Sequence, residues 1–377
     1  MPADADVLIF VEDPGAVHYI AALPAALEDR GRKIVVLSAG IATEYLEQRG
    51  IRHKKLTASA APGQILRNIN PRLLLVGTAS NPDTAGLKLI AAARSARIPS
   101  VGVVDAAMNS GFRFRGRSDN PLAYAPDWIL VPDEVTRNSF LELGARSERV
   151  LALGHPHYDF VIGLAETWRH KPHAHFRKQV FPDVPTDRAI VVFVSEGSAR
   201  ITPISKKDLA EFTLHGRSGT NGRTEIVLEE LIEALASVTL KPYVVLRIHP
   251  RDDETDFAAY SGTIDKISKD EPALEVVYAA NLVVGMTSML LTEAALLGCA
   301  VLPIIPRKAE IEWLPLTRSG ALTAATTQTA IAKRLRELLS NTKGREQAER
   351  LRQAYPKGST DQIAGFLHGI IGTRNTG

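Results

Sequence analysis

Short continuous runs of apolar residues recur along the chain, each closed by glycine, proline or a polar cluster. Between them lie longer stretches with apolar residues at helical spacing. In the first half the runs cover 7–11, 33–37, 72–76, 100–104, 128–131 and 150–153. They are unbroken rather than alternating, the mark of strands covered on both faces. The intervening stretches predict a helix through Tyr19, Leu23 and Leu27 to Gly31, then helices over 41–49, 83–95 and 134–143. In the second half, strands are expected at 189–194, 243–248, 274–277, 282–284 and 300–305, with helices over 224–237, 329–340, 344–353 and 361–371. Strands alternating with helices make doubly wound parallel sheets, and the pattern occurs twice. In such sheets ligands sit beyond the carboxyl ends of the strands.

The stretch 281–306, NLVVGMTSMLLTEAALLGCAVLPIIP, reads as strand, turn, helix, turn, strand. Thr287 and Ser288 open the helix with hydroxyls suited to capping its first turn, and Gly298 stops it. A capped helix start offers free backbone N–H groups and the positive end of a dipole aimed at one point, which suits a phosphate. Glu293 lies five residues after Ser288, roughly one and a half turns at 3.6 residues per turn. Earlier, Arg247-Ile248-His249-Pro250-Arg251 ends a buried strand with an imidazole at the ligand side. The first strand ends in Glu12-Asp13-Pro14-Gly15, with His18 three residues after Gly15. The first strand of the second half ends in Ser195-Glu196-Gly197-Ser198, where Gly197 permits close backbone approach.

These features carry a resemblance. Thr287-Ser288 with Glu293-Ala294 and Gly298 resembles the nucleotide-binding unit of GT-B glycosyltransferases and the related UDP-GlcNAc 2-epimerases. LKLIAAARSARIPSVGVVDA, ending in Asp105, and WILVPDEVTRNSFLELGARSERVLALGHPHYD resemble segments of their first domains, so that most of 70–160 is covered. His249-Pro250 resembles the His-Pro motif of bacterial sialyltransferases, Kdo transferases and CDP-glycerol glycerophosphotransferases. The resemblance implies two Rossmann-like doubly wound parallel-sheet domains facing a central cleft. It implies an acceptor-side domain over 1–160, a linker over 161–188, a nucleotide-donor domain over 189–360, and a last helix within 361–377 that crosses back to the first domain. It also implies donor phosphate on Thr287, Ser288, Gly197 and Ser198, ribose hydroxyls on Glu293, and leaving-group stabilisation by His249 with Arg251. The base that takes the acceptor proton falls on His18 or Asp13, or on neither. Glu12, Asn81 and Asp105 are acceptor-side candidates, and Asp105 reads equally well as a helix cap or an ion-pair partner.

Composition narrows the choice of partner. The chain has 377 residues, 45% hydrophobic and 23% charged, with a net charge of +3, values of a globular protein long enough for two domains. So small a net charge argues against a dedicated nucleic-acid binder. The lone cysteine, Cys299, forbids an intrachain disulfide and, placed before a buried strand, reads as core. The first fifteen residues lack the basic stretch and long apolar core of a signal peptide, and no apolar run approaches the roughly 20 residues that span a bilayer. The expected setting is the cytoplasm, with peripheral membrane contact and a homodimer left open. Residues 160–188 carry basic groups and few apolar ones and are read as a solvated connection, with His170, His173 and His175 lacking partners at metal-ligand spacing. Residues 199–223, with three glycines and five Lys or Arg, are read as a mobile excursion of functional use. Arg307 and Lys308 follow the last strand and are read chiefly as surface charges, with reach to the cleft as the alternative, and Trp313 as shaping the same rim.

The expected activity is metal-independent transfer of a sugar from a nucleotide-activated donor to a hydroxyl acceptor with inversion, in surface glycan or glycoconjugate synthesis. The nucleotide-sugar is a substrate, and no cofactor is called for. A sugar-nucleotide 2-epimerase and a non-catalytic binding protein of the same fold are the alternatives. Against the epimerase stands the loop after the first strand, where that family carries an arginine-bearing Gly-Thr-Arg-Pro-type sequence and this chain has Glu12-Asp13-Pro14-Gly15.

Overall fold

Strand β1 (Val7–Val11) shows why the apolar runs are continuous. Val7, Ile9 and Val11 point into one core, which includes Tyr19, Leu27 and Leu46, while Leu8 and Phe10 point into another, which includes Leu89, Phe114 and Phe140. A strand whose alternate side chains both meet helices has no solvent face to keep polar. The computed structural model describes residues 4–56, 60–106, 109–171, 173–238, 241–353, 355 and 357–372. The chain divides into two compact units, one of residues 1–160 with 356–377 and one of residues 161–355.

In the first unit β1 is followed by β2 (Ile34–Ser38), β3 (Lys54–Lys55), β4 (Leu73–Gly77), β5 (Ser100–Val103), β6 (Trp128–Val131) and β7 (Val150–Ala152). They form one parallel sheet in the order β3-β2-β1-β4-β5-β6-β7. Helix α1 (Pro14–Ile20) leaves β1, and α2 (Ala85–Ser95) leaves β4, capped by the Thr84 hydroxyl. The second unit holds β8 (Ile190–Val194), β9 (Tyr243–Arg247), β10 (Lys266–Ser268), β11 (Leu282–Gly285) and β12 (Val301–Pro303), parallel in the order β10-β9-β8-β11-β12. In each sheet the winding reverses beside its first strand, between β1 and β4 and between β8 and β11. At such a reversal the two departing loops diverge to opposite faces and leave a crevice. That crevice opens at residues 12–15 in one unit and at 195–198 with 286–288 in the other.

The last helix, Ser359–Gly372, belongs to the first unit: Ile363, Ala364, Leu367 and Ile371 join the core of Val7 and Ile9. Its start is fixed by Asp159, which accepts from Gly358 N at 2.9 Å and Thr360 N at 2.7 Å. Gly154 has φ +85°, and a Cβ there would meet the Ser359 hydroxyl, so this turn requires glycine.

Three expectations are corrected. Residues 274–277 form part of a helix, Ala273–Tyr278, because a four-residue apolar run does not reveal its own periodicity. The segment 161–188 is not a solvated connection. The second half of α3 (Pro156–Trp168) and all of α4 (His173–Val180) occupy it, with Phe176, Val180, Phe181 and Val184 buried. Arg177, also buried, donates to the Pro185 and Arg188 carbonyls and to Asn281 Oδ1, and His173 bonds the Tyr278 carbonyl at 2.8 Å. Residues 199–223 are not a detached polar excursion but are bonded onto the unit and partly sunk into its core. Helix α5 (Arg223–Ala236) presents Glu225, Glu229 and Glu230, which accept from the backbone N–H groups of Ala199, Arg217, Ser218 and Gly216. Phe212 and Leu214 sink into the core beside them. Among the described residues no helix is long and apolar enough to cross a membrane.

Candidate functional site

The second-unit crevice is built on α6 (Met289–Leu297), which leaves β11 through Gly285, Met286, Thr287 and Ser288. Gly285 lets the helix approach closely. A Cβ there would lie 2.7 Å from Leu291 Cδ1 and 3.2 Å from the Val194 carbonyl oxygen, so a side chain fits only if the Leu291 methyl turns aside and β8 gives by a few tenths of an ångström. Ser288 caps the helix with its hydroxyl on Leu290 N, and Gly298 ends it at φ +88°.

The N–H groups at this helix start are not open. Those of Thr287 and Ser288 both donate to Glu196 Oε1, and the Thr287 hydroxyl donates to Glu196 Oε2 at 2.7 Å. Arg223, at the start of α5, donates to the same Oε2 at 2.6 Å and to Thr287 Oγ1 at 3.2 Å. The expectation of unoccupied donors at Thr287 and Ser288 is therefore corrected. The cause is topological: β8 pairs directly with β11, so the loops after both strands leave side by side. The arrangement is still an anion receptor, since two backbone N–H groups, a hydroxyl and a guanidinium converge on one carboxylate.

Arg223 is the residue the sequence concealed. Its guanidinium also reaches Glu310, with Nε donating at 2.7 Å, and its face lies 5.9 Å from the Trp313 ring centroid. Arg307 binds the other oxygen of Glu310 at 3.1 Å and approaches the same ring at 5.4 Å. Glu310 is almost wholly buried, its side chain 2% exposed. Only the chain fold brings residues 196, 223, 287 and 310 together, and no local spacing announces it.

The loop Ser195–Ser198 is held from below. Ser198 N donates to Asp252 Oδ1 at 2.9 Å, and the Ser195 hydroxyl lies 3.3 Å from Asp252 Oδ2. Ser198 N–H is thus committed to the protein, a second correction, although Gly197 adopts φ +105° as only glycine does readily. His249 N donates to Ser195 Oγ at 2.8 Å, and His249 Nδ1 accepts from Arg251 N at 3.2 Å. That bond leaves the ring proton on Nε2, so His249 is a neutral donor through Nε2. Burial, and then the Arg251 charge, lower its pKa below the ordinary 6.5, against the opposing pull of Asp252 and Glu196. The Arg251 side chain is exposed, and Glu293 is buried on α6.

The first-unit crevice gathers the other candidates. Asp13 caps α1, accepting from Gly15 N at 2.9 Å. Asp105, after β5, pairs with the buried Arg113 at 3.0 Å. A Cβ on Gly15 would lie 2.0 Å from Asp105 Oδ2 and 3.2 Å from Asp13 Oδ1, so Gly15 makes room for two neighbouring carboxylates. Burial, then the Asp105 charge, raise the Asp13 pKa, opposed by the Gly15 N–H, Arg113 and the Ala16 N–H. His18 is placed differently: its Nε2 lies 2.9 Å from a guanidinium nitrogen of Arg49 and its ring 4.6 Å from that of His157. Because arginine only donates, Nε2 of His18 is an engaged acceptor. Two acceptor-side candidates also make local hydrogen bonds. Glu12 accepts from Ala85 N at 3.0 Å at the start of α2, and the exposed Asn81 closes its own turn on Asp83 N at 3.0 Å.

No family model matches the sequence, and no curated protein matches it. Solved structures do. A UDP-GlcNAc 2-epimerase from Neisseria meningitidis bound to UDP-GlcNAc aligns with a TM-score of 0.65 at 14% identity, over 97% of this chain and 99% of that one. The UDP-GlcNAc 2-epimerase of Methanocaldococcus jannaschii gives 0.64 at 13% identity, over 96% and 99%. The wall teichoic acid polymerase TagF gives 0.56 at 11% identity, over 99% and 90%. The chain has the GT-B and UDP-GlcNAc 2-epimerase-like fold. At these identities the likeness speaks for the fold, and the chemistry rests on the residues above.

Proposed function

We propose that the chain is an enzyme acting on nucleotide-activated sugars, and specifically an inverting transferase to a hydroxyl acceptor. The observation that carries this reading is the anion receptor at the reversal of the second sheet, where Thr287 N, Ser288 N and Arg223 converge. A donor diphosphate placed there, in exchange for the Glu196 carboxylate, takes charge-assisted hydrogen bonds from a fixed donor set. His249, neutral and protonated on Nε2, adds a hydrogen bond to the departing phosphate without a change of charge. Glu293, one and a half turns along α6, is assigned to the ribose hydroxyls.

Between the two base candidates the geometry favours Asp13. The lone pair on Nε2 of His18 faces Arg49, whereas Asp13 keeps a carboxylate whose proton affinity is raised by burial and by Asp105. In the proposed step the acceptor oxygen bonds to the anomeric carbon, the bond from that carbon to the phosphate oxygen breaks, and the acceptor proton passes to Asp13. The nucleoside diphosphate leaves as an anion. Asp13 is held in place by the Gly15 and Ala16 N–H groups, while Asp105 and Arg113 act on it through their charges.

A second reading is a 2-epimerase, favoured by the higher TM-scores of the epimerases, 0.65 and 0.64 against 0.56 for TagF. Incubation with UDP-, CMP- and CDP-linked sugars, with and without hydroxyl acceptors, separates the two. Nucleotide release that depends on acceptor supports transfer, and a C2 epimer formed without acceptor replaces it with epimerisation. Binding without either product removes catalysis from the account.

A further inference from the structure

The receptor at the start of α6 already holds an anion, and that anion is the protein's own. Glu196 accepts four hydrogen bonds there, two from backbone N–H groups, one from the Thr287 hydroxyl and one from Arg223. We infer that Glu196 is an internal latch, a carboxylate that occupies the phosphate position and must swing out before a nucleoside diphosphate can bind. The inference rests on the reading of this receptor as the donor phosphate site.

Charge bookkeeping supports an exchange rather than a permanent strut. Arg223 and Arg307 face Glu196 and Glu310, two cations against two enclosed anions, with the exposed Glu211 3.6 Å from Arg307 at the edge. When Glu196 leaves, Arg223 stays paired with Glu310 and Arg307 stays on the other Glu310 oxygen, so the receptor keeps its shape and gains one net positive charge. An arriving phosphate restores the balance. Opening also needs little motion. Ser198 N and Ser195 Oγ remain on Asp252, Glu196 N remains on Thr224 Oγ1 at 3.3 Å, and Gly197 O remains on the Thr224 hydroxyl at 2.7 Å. The loop backbone is thus anchored on both sides of Glu196, and only the side-chain torsions of that residue have to change. Its side chain is 15% exposed, so one edge already meets solvent.

A latch lowers apparent affinity by the fraction of molecules that are open. It also makes the site selective. A ligand must bring enough negative charge to replace a carboxylate held by four donors, which a neutral sugar does not and a diphosphate does. With the latch closed in about nine molecules of ten or more, removing it tightens binding about tenfold or more.

The test is calorimetric titration of UDP and CDP into the full chain and into Glu196→Ala and Glu196→Gln, with circular dichroism to establish that each variant is folded. Both variants are expected to bind the preferred nucleotide about tenfold or more tightly than the unaltered chain. Glu196→Gln keeps the volume but removes the charge and turns one of the two acceptor oxygens into an N–H donor, so it separates competition for donors from a change of packing. Unchanged or weaker affinity in both folded variants, for a nucleotide that the unaltered chain binds, overturns the latch and moves the phosphate off Thr287 N, Ser288 N and Arg223, while nucleotide binding by the chain stands. No binding of either nucleotide by any of the three forms overturns the site and the latch together.

Discussion

Arg223→Met removes a buried guanidinium and keeps most of its aliphatic stem. The Arg223 side chain is 12% exposed, and its partner Glu310 is 2% exposed. Removing one member of a buried pair costs about 3–5 kcal/mol, because the remaining charge is stranded away from water. Glu310 keeps Arg307 at 3.1 Å, and Glu196 keeps Thr287 and Ser288, so the expected cost lies near the lower bound, about 3 kcal/mol. For a unit spanning 161–355 that corresponds to a fall in Tm of about 6–12 °C. The two units need not unfold together, so the quantity to follow is the second-unit transition, reported by the fluorescence of Trp313 and Trp168. A cycle with Glu310→Gln and the double variant isolates the pair. The double variant is expected to be less destabilised than the sum of the singles by about 1–3 kcal/mol. A second-unit Tm within 1 °C of the unaltered chain, or additivity across the cycle, would refute the claim that Arg223 is the electrostatic centre of the receptor.

Other expectations follow from the same geometry. Gly285→Ala, forced against Leu291 and the Val194 carbonyl, is expected to cost about 1–3 kcal/mol in urea unfolding and to weaken nucleotide binding; a neutral effect on both contradicts the close approach. Asp13→Asn is expected to abolish turnover with donor affinity unchanged, while His18→Ala keeps substantial turnover, and the reverse ranking in a kinetic assay returns the base role to His18. His155 is buried among Tyr19, Tyr158, His157 and His18, and burial, then the charges of His157 and His18, hold its pKa well below 6.5. The unfolded chain therefore binds this proton more readily, so first-unit stability is full above about pH 6.5 and declines as pH falls below it. His155→Gln is expected to flatten that decline, and an unchanged slope of stability against pH contradicts the assignment.

The strands were legible because burial on both faces leaves an unmistakable mark: 7–11 and 128–131 match residue for residue, and 189–194 differs from β8 by one position. What failed were segments whose partners lie far away. The polar look of 199–223 misled because its neutralising carboxylates, Glu225, Glu229 and Glu230, sit on a helix that itself reads as amphipathic. The basic residues of 161–188 suggested solvent, yet Arg177 is buried, with its terminal nitrogens on two backbone carbonyls and Asn281. At the site, the Ser288 cap and the Gly298 stop could be read locally. The occupant of the helix start could not, since Glu196 and Thr287 are 91 residues apart and meet only because β8 lies beside β11. A carboxylate on the loop next to an expected phosphate site is a signal that sequence reading can use, once the reversal of strand order is assumed.

The most direct measurement is a crystal structure of the chain with UDP or CDP. The account predicts phosphate oxygens on Thr287 N, Ser288 N and Arg223, with His249 Nε2 donating to the same group and the Glu196 side chain turned away. A nucleotide bound elsewhere, with Glu196 still seated on Thr287 and Ser288, would contradict it.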